Sequence, residues 1–267
     1  MSLIKTLFES RWGNDGLLIS ADFSQLEVAV LASLANDETL IWELNNGVDT
    51  HRENAVGVFD KPAELIEKSE RTYAKRRTFE LQFGATAKGM AFNGDGDEDK
   101  AQKFIDNYYN KYTGVARAHR RWMREAESQI SSHSMSSTII SPFGRRLHFP
   151  AIRRRGGLSV SPTKSKNYPV QSGGAEVVSL ATSILFREYV LLDKFFINHI
   201  KFVNTVHDSI IIDSHKETLD KAIELLYNNL KETNNHVKRV YGVDLGVQIK
   251  FDIEVGPTWA DMTEINL

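Results

Sequence analysis

The chain has 267 residues, 41% hydrophobic and 25% charged, which is enough apolar material for one large core or two smaller ones and excludes a disordered or fibrous protein. With no cysteine it forms no disulfide, thiolate zinc site, iron–sulfur cluster or thiol nucleophile, so any metal must be held by carboxylate, imidazole or carbonyl groups, and the expected compartment is reducing. The formal net charge of −2 hides a basic middle, because residues 71–166 carry 19 Lys+Arg against 8 Asp+Glu; such a block suits either a polyanion or a solvated helical surface, while acidic flanks suit divalent metal. The N-terminus has no charged start feeding a long apolar run, and no stretch approaches about 18 uninterrupted apolar residues. A soluble, cytoplasmic protein with no membrane partner is expected.

The first pattern is the apolar run Leu17–Phe23, LLISADF, with Asp22 near its end, which reads as a buried strand. A helix follows in QLEVAVLASLANDETL, where Leu26, Ala29, Val30, Ser33 and Leu34 share one face and Asn36-Asp37 interrupt it. Residues 35 to about 135 read as almost entirely helical, with periodic apolar positions over Glu70–Phe92 and Glu98–Tyr112 and a break at Thr113-Gly114 before VARAHRRWMREAESQI. Pro142-Phe143-Gly144 sits between two β-prone runs, and RRRGGLSVSPTKSK after them reads as an exposed, mobile basic loop. The last third predicts two amphipathic helices, about 173–196 and 216–240, around the strands KFVNTV and SIIID. Only His207-Asp208 separates those strands, the length of a tight hairpin loop, so Asp208 should project from its tip. In the final strand VQIKFDIEV, Val247, Ile249, Phe251, Ile253 and Val255 alternate with outward polar residues. The sum is an α+β fold, an antiparallel sheet with flanking helices interrupted by a mainly helical insertion. The acidic loop NGDGDED at 93–99 lacks the glycine and glutamate of a calcium loop counted from Asp95 and reads as solvated.

Three segments together suggest chemistry. Asp22-Phe23-Ser24-Gln25-Leu26-Glu27 puts a carboxylate at a strand end and Glu27 on the next helix. In Arg71–Gly84, the residues Arg71, Lys75, Phe79 and Phe83 recur every fourth position, each step advancing about 6 Å, so two cations and then two aromatics form a slightly spiralling stripe. A nucleoside triphosphate has the matching order, polyanionic at one end and a flat ring at the other. The third segment is the hairpin tip Thr205-Val206-His207-Asp208-Ser209. Taken singly, a strand-end Asp is ordinarily a cap, a basic-aromatic helix a solvated face, and His-Asp a turn. Their co-occurrence in one chain gives two strand-borne carboxylates plus a cationic helix, the parts of a two-metal phosphoryl-transfer site.

These residues resemble family A (bacterial polymerase I type) DNA polymerases. DFSQLE is similar to that family's motif A, RTYAKRRTFELQFG to its motif B, and TVHDS to its motif C; DTHREN at 49–54, SPFGRRLHFP at 141–150, NYPVQS at 167–172 and VGPTW at 255–259 follow in the family's order. The resemblance covers about residue 8 to the C-terminus. It implies a palm over 1–34 and 160–267 with the fingers over 35–159, and template-directed nucleotidyl transfer from dNTPs to a primer on template DNA. It implies that Asp22 and Asp208, assisted by the carbonyl of Phe23, bind two Mg²⁺ ions, with Mn²⁺ as a substitute. His51, Arg71 and Lys75 would hold the phosphates, Lys75 giving pyrophosphate a proton; Phe79 would pack on sugar and base, and Phe83 near the template base. Glu27, helped by Gln25, would fill the space a ribose 2′-hydroxyl needs, and Asn167, Gln171 and His207 would touch primer–template.

The departures are specific. Phe23 and Phe83 stand where tyrosine is common, Ser209 where motif C usually has glutamate, and Thr163 where an arginine is frequent, with Lys164 and Lys166 as substitutes. The family's thumb, first palm segment and usual exonuclease precede motif A, which here begins about twenty residues from the start. The expectation is therefore one half of a split polymerase, of the kind some phage-like systems have in a host cytoplasm, or a shortened piece with Met1-Ser2-Leu3 as a remnant, working with a second polypeptide that carries thumb and exonuclease. Two other readings stay open: a non-catalytic nucleic-acid-binding remnant, and an RNA polymerase on the same palm, against which Glu27 argues.

Overall fold

A computed structural model describes residues 3–94, 96–154, 157–265 and 267. In chain order the elements are β1 (Gly16–Ser24), α1 (Leu26–Ala35), α2 (Glu38–Asn45), α3 (Thr50–Phe59), α4 (Lys68–Gln82), α5 (Ala87–Phe92), α6 (Glu98–Lys111) and α7 (Thr113–Ser128). Two short hairpins follow, β2 (Ser136–Ile140) with β3 (Arg146–Pro150) and β4 (Ile152–Arg154) with β5 (Gly157–Ser159). The chain ends with α8 (Pro162–Val190), α9 (Lys194–His199), β6 (Ile200–Val206), β7 (Ser209–His215), α10 (Leu219–Lys231), α11 (Thr233–Tyr241), β8 (Lys250–Gly256) and β9 (Thr263–Glu264). No helix among the described residues is long and apolar enough to cross a membrane.

Two compact units are present, one formed by 1–26, 174–244 and 249–267, the other by 27–173 and 245–248. The first is built on an antiparallel sheet of order β6-β7-β1-β8-β9. Its central strand β1 buries Ile19, Ala21 and Phe23 on one face, matched by Ile210 and Ile212 of β7 and Ile253 of β8. Helix α10 packs against β7, β1 and β8, burying Ala222, Leu226 and Leu230. The alternating strands thus leave the other face of β1, bearing Ser20, Asp22 and Ser24, for polar groups. Behind the sheet's far end, buried Asp213 accepts from Ser10 Oγ at 2.7 Å and from Arg11 N and Nε at 3.1 Å, fixing the chain that enters β1.

The second unit is helical around Leu40, Ala74, Leu81, Met90, Phe104 and Tyr108. Asp37 caps α2 by accepting from Leu40 N and accepts from Val115 N of α7, both at 3.0 Å. Gly114 is what permits this approach, since a Cβ there would lie 2.7 Å from the Asp37 Cα.

Several expectations are corrected. Gly114 lies inside the first turn of α7, and a single residue, Tyr112, separates α6 from α7; the glycine serves close packing instead of a break. The run 70–92 divides at Phe83–Thr86, because Gly84 takes φ +76° and the Thr86 hydroxyl caps a new helix by accepting from Gly89 N. The supposed basic loop pairs Ile152–Arg154 with Gly157–Ser159, Arg155 and Gly156 lying outside the described residues along with Asp95 of the acidic loop. Its last part already belongs to α8, which starts eleven residues before the predicted helix: the Ser161 hydroxyl accepts from Lys164 N at 3.4 Å and Pro162 takes the first helical position. That helix ends at Val190, and the segment 216–240 divides at Glu232. Helix α1 buries Val28, Ala29, Val30, Leu31 and Ala32, nearly its whole circumference where one apolar stripe was expected; so many small and apolar side chains let it sit inside the core.

Candidate active site

The carboxylates of the first unit are assembled by strand pairing. Asp22 on β1 lies opposite Ser209 of β7 on one side and Asp252 of β8 on the other, and Ser20 lies opposite Glu254. Directly paired residues share a face with Cβ atoms about 5 Å apart. The β6–β7 hairpin turns in two residues, as its sequence predicts, with His207 in the left-handed region at φ +55°. Phe23 N–H donates to the Asp208 carbonyl at 3.2 Å, tying the hairpin tip to the end of β1. The Ser209 hydroxyl turns back to donate to the Val206 carbonyl at 2.8 Å, so the residue in the usual glutamate position closes the turn. Ser24 Oγ donates to Asp252 Oδ2.

Electrostatics follow from this register. Partial burial, then the nearby Asp208, Asp252 and Glu254, push the Asp22 carboxyl above its ordinary range, while Lys5 works the other way. These groups line an open cavity of about 550 Å³, in which Lys5 Nζ sits 4.6 Å from the Trp259 ring centroid. The concentration of negative charge favours a cation. No three or more His, Cys, Asp or Glu side chains among the described residues are arranged to hold a metal on their own. Asp22 and Asp208 are oxygen donors of the kind Mg²⁺ takes, and the open cavity they line has room for the waters that ion keeps.

The second unit carries the cationic stripe on α4. Its N-terminus is fixed by a capping box between Glu67 and Glu70. Arg71 Nε donates to Asp49 Oδ2 at 2.6 Å, and the same carboxylate caps α3 by accepting from Arg52 N at 3.2 Å. Against the opposing effect of burial, those bonds and the Arg71 charge hold the Asp49 carboxyl below its usual range. His51, 7% exposed, is pushed down to about 4 by burial and then by Arg71 and Lys75, so it is neutral at pH 7. Its ring centroid is 6.1 Å from that of Phe79. Lys75 is exposed. Phe79 is half-buried and Phe83, the C-cap of α4, is exposed; both line an open cavity of about 680 Å³ with Gly84 and Thr163.

Gln25 follows β1 at φ +53° and half-buried Glu27 occupies the first turn of α1. Asn167 and Gln171 stand four residues apart on α8 and so share a face. Of the two lysines offered in place of an arginine at 163, Lys166 turns inward, donating to Tyr109 Oη at 3.3 Å with its pKa lowered by burial; Lys164 is exposed. Thus Asp22, Phe23, Gln25, His207 and Asp208 belong to the first unit, and Glu27, His51, Arg71, Lys75, Phe79, Phe83, Asn167 and Gln171 to the second. Sequence reasoning missed Asp252, Glu254 and Asp49. The first two were signalled as outward positions of the last alternating strand; Asp49 was signalled only by its place before a helix.

Comparison with known proteins follows the same lines. A family model described as DNA polymerase family A matches residues 2–261. The chain is 27% identical over 252 residues to DNA polymerase I of Geobacillus stearothermophilus, covering 92% of this chain and 26% of that protein. It is 29% identical over 248 residues to DNA polymerase I of Lactococcus lactis subsp. lactis strain IL1403, again covering 92% and 26%. It therefore spans about a quarter of the length of these relatives. A solved structure, the POL domain of Pol1 from M. smegmatis in complex with DNA primer-template and dNTP, shares the fold with TM-score 0.72 at 19% identity, over 96% of this chain and 42% of that one.

Proposed function

The chain belongs to DNA polymerase family A, and from that premise we propose that it is the catalytic portion of a template-directed DNA polymerase, the first unit serving as palm and the second as fingers. The observation that carries this reading is the hydrogen bond from Phe23 N–H to the Asp208 carbonyl, which ties the hairpin tip bearing Asp208 to the strand end bearing Asp22, a carboxyl raised by partial burial and then by the charges of Asp208, Asp252 and Glu254.

In this reading the primer 3′-oxygen attacks the α-phosphorus of a dNTP, a new P–O bond forms, the bond to the β-phosphate oxygen breaks, and pyrophosphate leaves. Asp22 and Asp208, with the Phe23 carbonyl assisting, would hold divalent ions, Mg²⁺ or Mn²⁺, which when bound would supply a lowered pKa for the 3′-hydroxyl and charge neutralisation for the triphosphate and pyrophosphate. Arg71 grips the terminal phosphate while Asp49 fixes the direction of its guanidinium. Lys75, one turn on and exposed, lies nearer the reacting phosphate and gives pyrophosphate a proton. Neutral His51 offers a hydrogen bond in place of a charge. Phe79 packs on sugar and base, and Phe83 stacks near the template base. Glu27, steadied by Gln25, fills the space of a ribose 2′-hydroxyl and so selects deoxyribose. Asn167, Gln171 and His207 touch primer–template near its end.

The test is primer extension with Mg²⁺, on the chain alone and together with a polypeptide supplying the remaining regions of its relatives. Template-dependent products are expected, and Asp22→Asn or Asp208→Asn should abolish them while the circular dichroism spectrum is unchanged. Incorporation at near wild-type rate by either variant refutes the two-carboxylate assignment.

A further inference from the structure

The side of α4 turned away from the cationic stripe carries a charge that the nucleotide site does not use. Arg77 lies two residues from both Lys75 and Phe79, about 200° round the helix from each, and its side chain is 2% exposed. Its Nη1 donates to Glu80 Oε2 at 2.7 Å and to the Met90 carbonyl of α5 at 2.6 Å. Its Cζ lies 4.8 Å from the Tyr73 ring centroid. The neighbouring Arg76, exposed, repeats the pattern outside the core: Nε donates to Glu80 Oε1 at 3.0 Å, and Nη2 donates to the Asn93 carbonyl. One carboxylate thus holds two arginines, and each arginine reaches across to a carbonyl at the end of α5.

Those carbonyls are open to side chains because a helix leaves its last C=O groups without an intrahelical partner. The Ala91 carbonyl accepts from Gly94 N and Gly96 N, and the Met90 carbonyl is served by Arg77. Gly94 makes room for this strap, since a Cβ there would collide with Arg77 Nη2. On the opposite side of the corner, α4 ends at Gln82, α5 begins at Ala87, and Gly84 turns the chain between them at φ +76°. A buried ion pair is seldom worth more to stability than well-packed apolar groups, and its best-attested use is to select one arrangement among several.

What the corner encloses gives the strap its function. The open cavity of about 680 Å³ takes Phe79 and Phe83 from α4, Gly89 and Asn93 from α5 and its C-cap, and Arg76 and Glu80 from the strap itself. In the polymerase reading Phe79 packs on sugar and base and Phe83 lies near the template base, so the spacing of α4 and α5 sets the room a base pair is offered. Shape rejects a wrong pair more than a right one only while the walls stay fixed. We propose that the Arg76–Glu80–Arg77 strap determines base-pair specificity by holding α5 to α4 at one spacing. Arg77 acts through the two helices and is a positioning residue. The base-pair clause rests on the polymerase reading; the strap rests on its own hydrogen bonds.

Three variants test it. Gly94→Ala puts a methyl against the Arg77 guanidinium from an exposed position that does not line the cavity. Arg77→Lys keeps the buried charge and loses the planar fork, and Arg76→Gln removes the outer arm with a good helix former. Hydrogen–deuterium exchange is measured over residues 84–93 in the protein alone, and kcat/KM is measured for a matched and a mismatched dNTP in the primer-extension assay. Exchange should rise about tenfold in each variant, the loss expected for a broken charge-assisted hydrogen bond. Discrimination should fall about 10–100-fold, chiefly through the matched dNTP, since misplacement by about 1 Å costs up to about 100-fold. A lower melting temperature with unchanged exchange, or an equal loss of kcat/KM for both dNTPs, makes Arg77 a core residue only and overturns the proposal. Raised exchange with unchanged discrimination overturns its specificity clause. If wild type incorporates no nucleotide, the polymerase reading fails and takes the base-pair clause with it, while the exchange rates still decide the strap.

Discussion

Replacing Asp22 with Asn should stabilise the metal-free protein while abolishing its chemistry. Asp22 faces three acidic neighbours, Asp208, Asp252 and Glu254, and one cation, Lys5, a net of about two unfavourable pairs. Because Asp22 remains exposed at its edge, each pair is screened and worth about 0.2–1 kcal/mol, so removing the charge returns about 0.5–2 kcal/mol. For a chain of this size that is a rise in melting temperature of about 1–8 °C. The sign follows from the raised carboxyl: its protonated form suits the fold, so the stability linked to this group is present at acid pH and lost as pH rises through the folded-state pKa. The Asn variant should therefore gain most at pH 7 and nothing at acid pH. Mg²⁺ acts in the opposite sense, stabilising wild type by about 2.7 kcal/mol at one hundred times its dissociation constant and the variant far less. The assay is differential scanning fluorimetry at low salt in EDTA and then in a Mg²⁺ series. A lower melting temperature for Asp22→Asn in EDTA, or equal Mg²⁺ stabilisation of both proteins, refutes the idea that this carboxylate is held at a cost for the sake of a cation.

Four further outcomes are expected. Glu27→Ala should raise ribonucleotide incorporation relative to deoxyribonucleotide in single-nucleotide competition and lower the overall rate; unchanged sugar selectivity removes this role from Glu27. Lys75→Ala should slow the chemical step and Arg71→Ala chiefly weaken nucleotide binding, so pre-steady-state kinetics giving the reverse division mean that α4 runs the other way over the triphosphate. Because His51 is neutral down to about pH 4, kcat/KM for dNTP should show no inflection near pH 6.5 that vanishes in His51→Gln; such an inflection contradicts a neutral hydrogen-bonding role. Gly84→Ala should cost about 1–2 kcal/mol for the left-handed backbone alone, and more because its Cβ would meet the Thr163 Cα at 2.6 Å; urea denaturation with no loss of stability refutes the stated packing.

The strands were legible because their signal is local. Leu17–Phe23 and VQIKFDIEV declare themselves by apolar runs and alternation, and the two-residue gap at His207-Asp208 fixes a hairpin whatever surrounds it. The helix boundaries were less legible where one residue type serves two purposes. Gly114 read as a break because glycine ends helices, yet it lies within a first turn where only a missing Cβ admits Asp37. Ser161-Pro162 read as loop because proline interrupts most patterns, although serine followed by proline is also how a helix begins.

The site divides along the same physical line. The places of Asp22 and Asp208 were legible because each is set by backbone pairing that the sequence pattern encodes, a strand end and a hairpin tip. Asp252 could not be joined to them from sequence, since its place opposite Asp22 depends on the β1–β8 register between residues 230 positions apart, and a slip of one residue would turn it to the other face. The Asp49–Arg71 pair was hidden for a different reason. The sequence offers many arginines and many carboxylates, and which pair forms is decided by tertiary distance, here the packing of α3 against α4. If Arg71 grips a triphosphate as proposed, it does so already held by a carboxylate, with its direction set and part of its charge compensated. Affinity for the nucleotide is then exchanged for orientation, and Asp49→Asn, which keeps an N-cap on α3, separates the two. Nucleotide binding should tighten as the competing charge goes, while the rate of the chemical step falls as the guanidinium loses its guide. If both improve, or neither changes, Asp49 is a helix cap and nothing more.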